Sequence, residues 1–518
     1  MKKNFTLFFV LLCLSVTVFG QSPVVWKNAV FDKGNSVSDI HKDNSGNIYA
    51  CVIEHGPMNV IKSIFVNKFS PELDFISKVE LEGDLPKLCE IQFVLDYICV
   101  LSNESVLSFY DYSGSLVKKF VLDKDYQYSI ISGNWATIAF RSNFTSYKTS
   151  TNITESNDLN NITIWGYKKT GNPKNQLDKN HSIKVYAYNS KLVSIAEESF
   201  GFEEVFSNSA DINTLQFDVT PKSKLVALCS NESKPDQAKV YLAVFNESDK
   251  SPVVHKYSFK YEVATFAYDF GKMNEIFISG VISVGGLRPS FKRTDDKTLY
   301  FINQSLTDTK AATPVIYSLE DQIYNAYPEY TSKLKINSLN PFGLFVMEDG
   351  ILFGAMEIKK TTSTSTTVSG NGMSSSSSST YYYSKCLSFI KFSFTGKIQW
   401  LKMIPKEVKI ADGYEKIGGI AYAHDANKLR VIYCDNPANI LNKSKKMVYG
   451  STLKTVPAYA EISSGGDITI KPLDKFAKKK MMCYPGESEL VDNNIILLSA
   501  KIKGMFSMDY FLGKTPLP

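Results

Sequence analysis

Three observations predict an all-β fold, an eight-bladed β-propeller of four-stranded antiparallel blades closed by the N-terminal strand. One turn-plus-strand phrase recurs eight times, each copy has a partner strand downstream, and the chain ends one strand short while holding a spare strand near its start. Composition agrees: 29 Tyr and 33 Phe bring aromatics to 13%, while charged residues are held to 21%. Aromatic and β-branched side chains suit a half-buried pleated surface better than a helix. A length of 518 residues suggests roughly three ordinary domains, but a closed ring of repeats escapes that arithmetic because each unit buries its faces against its neighbours.

The recurring phrase runs NSGNIYACVI (Asn44 to Ile53), LDYICVLS (Leu95 to Ser102), GNWATIAF (Gly133 to Phe140) and KSKLVALC (Lys222 to Cys229). It returns as KMNEIFISG (Lys272 to Gly280), EDGILFGAM (Glu348 to Met356), DANKLRVIYC (Asp425 to Cys434) and DNNIILLSA (Asp492 to Ala500). Turn residues ahead of a β-rich run are the mark of a hairpin. The partner strands begin at Ser63, Ser105, Ile183, Lys239, Thr298, Cys386, Ala458 and Phe506. In seven repeats a polar turn and one more apolar strand follow, as in KIQWLKMI from Lys397. The eighth has no room for it. VVWKNAVF (Val24 to Phe31) has that strand's character, with Trp26 matching Trp400, and pairing it into the last blade closes the ring and removes two open edges. A seven-bladed ring plus an extra sheet is the alternative.

The first twenty residues read as a secretory signal: Lys2 and Lys3, an apolar run from Leu7 to Val18, and Val18-Phe19-Gly20 before Gln21. The expected organisation is therefore a signal peptide at 1–20 and one propeller domain at 21–518, exported to the periplasm, the outer envelope or the medium. Loss of Lys2 and Lys3 takes the formal charge from +6 to +4, too mild for a nucleic-acid partner. The later apolar runs are short for a membrane span, so contact with a membrane is peripheral at most. Of eight cysteines, Cys13 lies in the leader, and the other seven have irregular spacing with no C-x-x-C. They read mainly as buried thiols acting as small hydrophobes, with one bridge left open.

The stretch Thr395-Gly396-Lys397-Ile398-Gln399-Trp400 resembles the T-G-K-x-x-W of the quinoprotein-dehydrogenase-like propeller repeat. Asp111-Tyr112-Ser113-Gly114 and Leu512-Gly513-Lys514 resemble weaker copies of its turn. The resemblance implies eight blades, a turn at Gly396 and a Trp400 that packs between adjacent blades. That superfamily holds enzymes and also a non-enzymatic outer-membrane assembly lipoprotein. The enzymes' pair of adjacent cysteines and the haem motif C-x-x-C-H are missing here, so no quinone or haem cofactor is expected. Cys13 follows Leu12 rather than a small residue, which argues against lipidation.

No H-E-x-x-H, G-x-S-x-G, Walker loop or dinucleotide fingerprint occurs, and no catalytic, cofactor or metal residue is assigned. His41 and His424 fall at matching strand ends and read as turn histidines; Asp43 to Asn47 has a faint calcium-loop look but reads as a hairpin turn.

Four insertions are expected between second and third strands, at about Arg141 to Asn180, Gly285 to Lys297, Lys359 to Lys385 and Asp435 to Val456. Strands alternate in direction, so these connections share one face, and repeat insertions on one face often mark a binding surface. The candidate partner-binding residues are Trp165, Tyr167, Arg288, Phe291, Arg293, Tyr381, Tyr382 and Lys445, aromatics beside basic groups. The Ser/Thr-rich run at 359–385 reads as a flexible tether. The functional expectation is a non-enzymatic exported scaffold in the cell envelope or a secretion and assembly machine, with a protein partner. The alternative is an extracellular carbohydrate-binding or carbohydrate-active propeller.

Overall fold

A computed structural model describes residues 24–28, 35–55, 61–83, 89–102, 105–128, 153–156, 160–168, 182–206, 211–232, 238–246, 251–260, 263–283, 298–318, 339–368, 374–411, 418–441, 450–451, 455–473, 481–491, 494–502 and 508–517. Their strands form eight antiparallel blades. Blade one runs Ser36–Lys42, Ile48–His55, Ile61–Phe69 and Phe75–Glu80, from the inner strand outward. Burial follows that order. Ile48 to Val52 is buried on both faces, whereas Phe75–Glu80 alternates between exposed and half-buried. Strands covered by neighbouring blades on both sides read as unbroken apolar runs, which is why the second strands dominate the repeat signal.

Ring closure is as expected. Val25–Asn28 pairs antiparallel with Met508–Pro516, Val25 opposite Lys514 and Asn28 opposite Phe511, and forms the outer strand of blade eight. The inner strands of blades eight and one are in contact. Across the same seam Lys27 pairs with Asp74, and Lys514 Nζ donates to the Pro71 carbonyl at 2.5 Å. The hydrophobic cores lie between blades: Cys51, Ile64, Phe93 and Ile98 join blades one and two, and Phe342, Phe389, Val431 and Tyr433 join six and seven.

One five-residue turn is used repeatedly. At 43–47, 70–74, 111–115, 189–193, 220–224, 393–397 and 463–467 the first residue's N–H bonds the fifth residue's carbonyl, and the fourth residue's N–H bonds back to the first. The fourth residue is left-handed each time, as at Gly46, Leu73, Gly114, Leu192, Ser223, Gly396 and Gly466. This is the three-residue hairpin with a bulge. Asp43 shows why its side chain is spent: Oδ1 accepts from the Ser45 and Asn47 amides and Oδ2 from Asn47 and the Tyr49 hydroxyl. All these turns join first to second or third to fourth strands, so they close one face of the ring.

A second device was not visible in the sequence. Asp39 and Asp269, on inner strands, each bond their own following amide with one carboxylate oxygen, and with the other accept a backbone amide of the next blade, Phe93 and Val346, both at 2.9 Å. Asp218 uses the same geometry to accept from the Tyr268 hydroxyl at 3.0 Å.

Two expectations need correction. The second strand of blade three is Asn161–Lys168, paired with Ser182–Asn189; GNWATIAF lies outside the described residues. Tyr126–Gln127 and Ile153–Glu155 pair successive parts of Asn161–Lys168, so the inner strand of blade three is made of two segments and the expected insertion does not fall wholly between second and third strands. Trp400 bridges blades six and seven as expected, donating from Nε1 to the Ser464 carbonyl at 2.9 Å and lying on Gly466, with part of the indole left open to solvent. The Ser/Thr-rich run is a paired hairpin and not a tether. Among the described residues no helix is long and apolar enough to cross a membrane. The proposed signal peptide lies outside them.

Candidate functional site

The second and third strands of blade six, Gly350–Val368 and Ser374–Phe392, are each 19 residues long. Their pairing starts at Ile351 opposite Phe392, shifts register between Met356 and Ile358, and continues to Val368 opposite Ser374. The shift sets Glu357 of one strand against both Lys385 and Cys386 of the other, and a bulge of this kind bends the strand that carries the extra residue and re-aims the residues beyond it. Ten residue steps beyond Ile358, at about 3.3 Å each, carry the hairpin roughly 33 Å past the blade. The arm leaves from the second-to-third connection, opposite the face closed by the repeated turns.

Its base is braced. Val408–Ala411 pairs with Tyr381 to Ser384, and Gly450–Ser451 adds a parallel bridge outside it. Tyr381, Tyr382 and Tyr383 are half-buried there, and Lys409 places its ammonium 3.9 Å from the Tyr381 ring centroid and 5.9 Å from that of Tyr383. Contacts of this kind are worth about 0.5–1 kcal/mol at exposed positions.

Beneath the tyrosines lies an ionisable cluster. Glu357 and Lys406 are fully buried and Asp435 is 1% exposed. Lys385 and Glu407 pair at 3.7 Å. Asp435 Oδ1 accepts from the Glu407 amide at 3.4 Å, from the Asn436 amide at 2.7 Å and from Asn439 Nδ2 at 3.0 Å. Among the described residues nothing hydrogen-bonds Lys406 Nζ, which lies 5.5 Å from the Tyr433 ring. Burial, against the attraction of Asp435, pushes the Lys406 ammonium down to about 8. Burial likewise raises the Asp435 carboxyl to about 6, although its hydrogen bonds and Lys406 oppose the shift. Cys386, between Glu357 and Lys406, is raised by burial to about 12 and is no nucleophile at neutral pH.

The eight candidate binding residues separate. Trp165 and Tyr167 lie in a strand, not a loop: Trp165 packs 5.6 Å from Phe217 of blade four, and Tyr167 is 8% exposed. Both serve a core between blades. Tyr381 and Tyr382 sit at the base of the arm. Arg288, Phe291, Arg293 and Lys445 lie outside the described residues, but the strands flanking their segments, Glu275–Ser283 with Thr298–Ser305 and Lys428–Asp435 with Val456–Ser463, meet on the arm's face. Sequence reading missed Lys406 and Asp435. Lys406, adjacent to Glu407 in a polar-looking link, gives no outward signal of burial.

His41 stacks 5.4 Å from Phe93, and His424 lies 5.1 Å from Phe345. They fill different seams and share no site. Among the described residues no group of three or more His, Cys, Asp or Glu is placed to hold a metal ion. A cavity of about 270 Å³ lies on the turn face between blades four and five, lined by Thr220, Lys222, Phe270, Lys272 and Leu306.

Closed ring, composite last blade and one long arm define an eight-bladed β-propeller with a single elaborated face. No protein-family model matches the chain, and no curated protein matches it. Among solved structures it is similar to BamB from Moraxella catarrhalis at 8% identity, covering 95% of this chain and 100% of that one, with a TM-score of 0.36. It is similar to Sqt1 from Chaetomium thermophilum at 9% identity, 95% and 100% coverage and a TM-score of 0.44. The WD40 domain of SCAP from fission yeast matches at 9% identity, 96% and 99% coverage and a TM-score of 0.37. Similarity at this level speaks to fold alone.

Proposed function

We propose that this protein is a non-catalytic scaffold, exported to the cell envelope, that engages a protein partner through the blade-six arm and the connections beside it. The observation carrying this reading is the asymmetry of the ring: repeated five-residue turns close one face, while the other raises a hairpin of two 19-residue strands. An extended hairpin offers backbone donors and acceptors for strand addition, a common mode of protein recognition. Arg288, Phe291, Arg293 and Lys445, from the segments that link second to third strands in blades five and seven, would supply specificity. A glycan partner needs open aromatic faces, and Lys409 already covers Tyr381. The leader-like first twenty residues support export.

The test compares full-length protein with a variant in which residues 361–380 are replaced by a two-residue turn. Both are cross-linked in envelope fractions and analysed by mass spectrometry, with circular dichroism and melting as controls for the fold. A partner lost only from the short-arm variant supports the reading. Identical cross-linked sets from both proteins would remove the arm from it, and selective retention of either protein on glycan arrays would favour the carbohydrate alternative.

A further inference from the structure

We propose that Cys434 and Cys483 form a disulfide that staples blade seven to blade eight. Cys434 is fully buried near the end of Lys428–Asp435, the second strand of blade seven. Cys483 is 5% exposed and ends Met481–Cys483, the first inner segment of blade eight. The two belong to different sheets but to one hydrophobic cluster. The Cys434 thiol points across the seam and donates to the Cys483 carbonyl at 3.7 Å, both cysteines standing as buried free thiols. No other pair of described cysteines has this contact. Cys51 and Cys89 share the hydrophobic cluster at the seam of blades one and two, while Cys99 and Cys229 bury in separate cores.

The chemistry is thiol–disulfide exchange with the disulfide of a thiol oxidoreductase, or with glutathione disulfide, as oxidant. The Cys434 thiolate attacks one oxidant sulfur, forming a mixed disulfide and releasing the other as a thiolate. The Cys483 thiolate then attacks Cys434 Sγ and displaces the second. Two protein thiols give up two protons and two electrons, and the oxidant leaves as two thiols. Burial opposes ionisation of Cys434, and the neighbouring Lys406 ammonium partly offsets this. The bridge therefore forms most readily while blade eight is docking, before the seam closes over both sulfurs. An oxidising compartment is required, so formation in the cell rests on the export reading, whereas the pairing itself does not.

The experiment uses the chain without its first twenty residues, unfolded and reduced, then refolded in a glutathione redox buffer. Free thiols are trapped with N-ethylmaleimide in denaturant without reductant, and intact mass is measured. Eight cysteines less Cys13 leave seven. Five adducts are expected, with peptide mapping placing the link between Cys434 and Cys483. Cys434→Ser and Cys483→Ser should each show no bridge, and reductant should lower the melting temperature of the parent but not of either variant. Seven adducts on refolded parent overturn the proposal, as does a bridge mapped to Cys51 and Cys89. Should refolding fail, the same count on protein expressed into an oxidising compartment decides it. Thiol trapping in intact cells is a separate arm that reads export: five adducts after refolding but seven in cells would count against export and leave the pairing standing.

Discussion

Replacing the buried lysine beneath the arm should stabilise the protein. In Lys406→Met the stem keeps its packing and the ammonium is removed. The fall of Lys406 from 10.5 to about 8 corresponds to about 3 kcal/mol disfavouring the charged form at neutral pH. Part of that returns as a cost, because the raised Asp435 loses its nearest cation. The net expectation is a gain of about 1–2 kcal/mol at pH 7. The sign with pH is fixed by the direction of the shift. A lysine depressed on folding contributes stability that is fully present above its unfolded value near 10.5 and is lost as pH falls through about 8. The parent should therefore gain stability from about pH 8 to 10.5, and the variant should lack that rise. Urea unfolding at pH 6, 7, 8, 9 and 10, analysed by linear extrapolation, reads both quantities. A variant destabilised by more than about 1 kcal/mol at pH 7, with the parent's pH dependence intact, would refute the reasoning, because it would mean the ammonium is well paired in the folded protein.

Asp435, raised to about 6 by burial, should favour folding at low pH and withdraw that contribution as pH rises from about 4 through 6; Asp435→Asn should flatten this window in the same titration. Trp400→Ala should cost about 2–3 kcal/mol, below the 3–5 typical of a fully buried aromatic, because the indole is half-buried and bonds one carbonyl; chemical denaturation measures it. Gly396→Ala should cost about 2 kcal/mol or more, since φ is +87° and a Cβ would stand 2.7 Å from Phe301. Ser223→Gly, exposed at a φ of 60°, should be neutral or gain about 0.5 kcal/mol. Deleting residues 24–28 opens blade eight, so a truncated protein that melts unchanged would contradict the observed closure.

The fold was largely legible, for a physical reason. Second and third strands lie between two neighbouring blades, so Ile48 to Val52 or Leu225 to Cys229 must be apolar on both faces and stand out as runs. Blade three misled because its inner strand is interrupted, so a plausible β-rich phrase at 133–140 competed with Asn161–Lys168 for the same place. The arm was misread because Ser and Thr favour both loops and strands, and only the register with Ser374–Phe392 resolves which. The cluster beneath it was illegible for a further reason. Lys406, Glu357 and Asp435 are the residue types that usually face water, and their burial follows from a one-residue bulge and a strand switch that leave no periodic trace.

Blade eight is stitched from strands at opposite ends of the ring's sequence, and this ties two distant segments into one sheet. Loss of Val25–Asn28 leaves the outer edge of Met508–Pro516 unpaired, and loss of Met508–Pro516 takes the partner from both Val25–Asn28 and Asn494–Ile502. A product with either loss is a good substrate for proteolysis and self-association, while the closed ring conceals these edges. Stability of the ring is thus tied to a contact between segments almost five hundred residues apart in sequence, a closure that forms late in any folding order that starts from local hairpins.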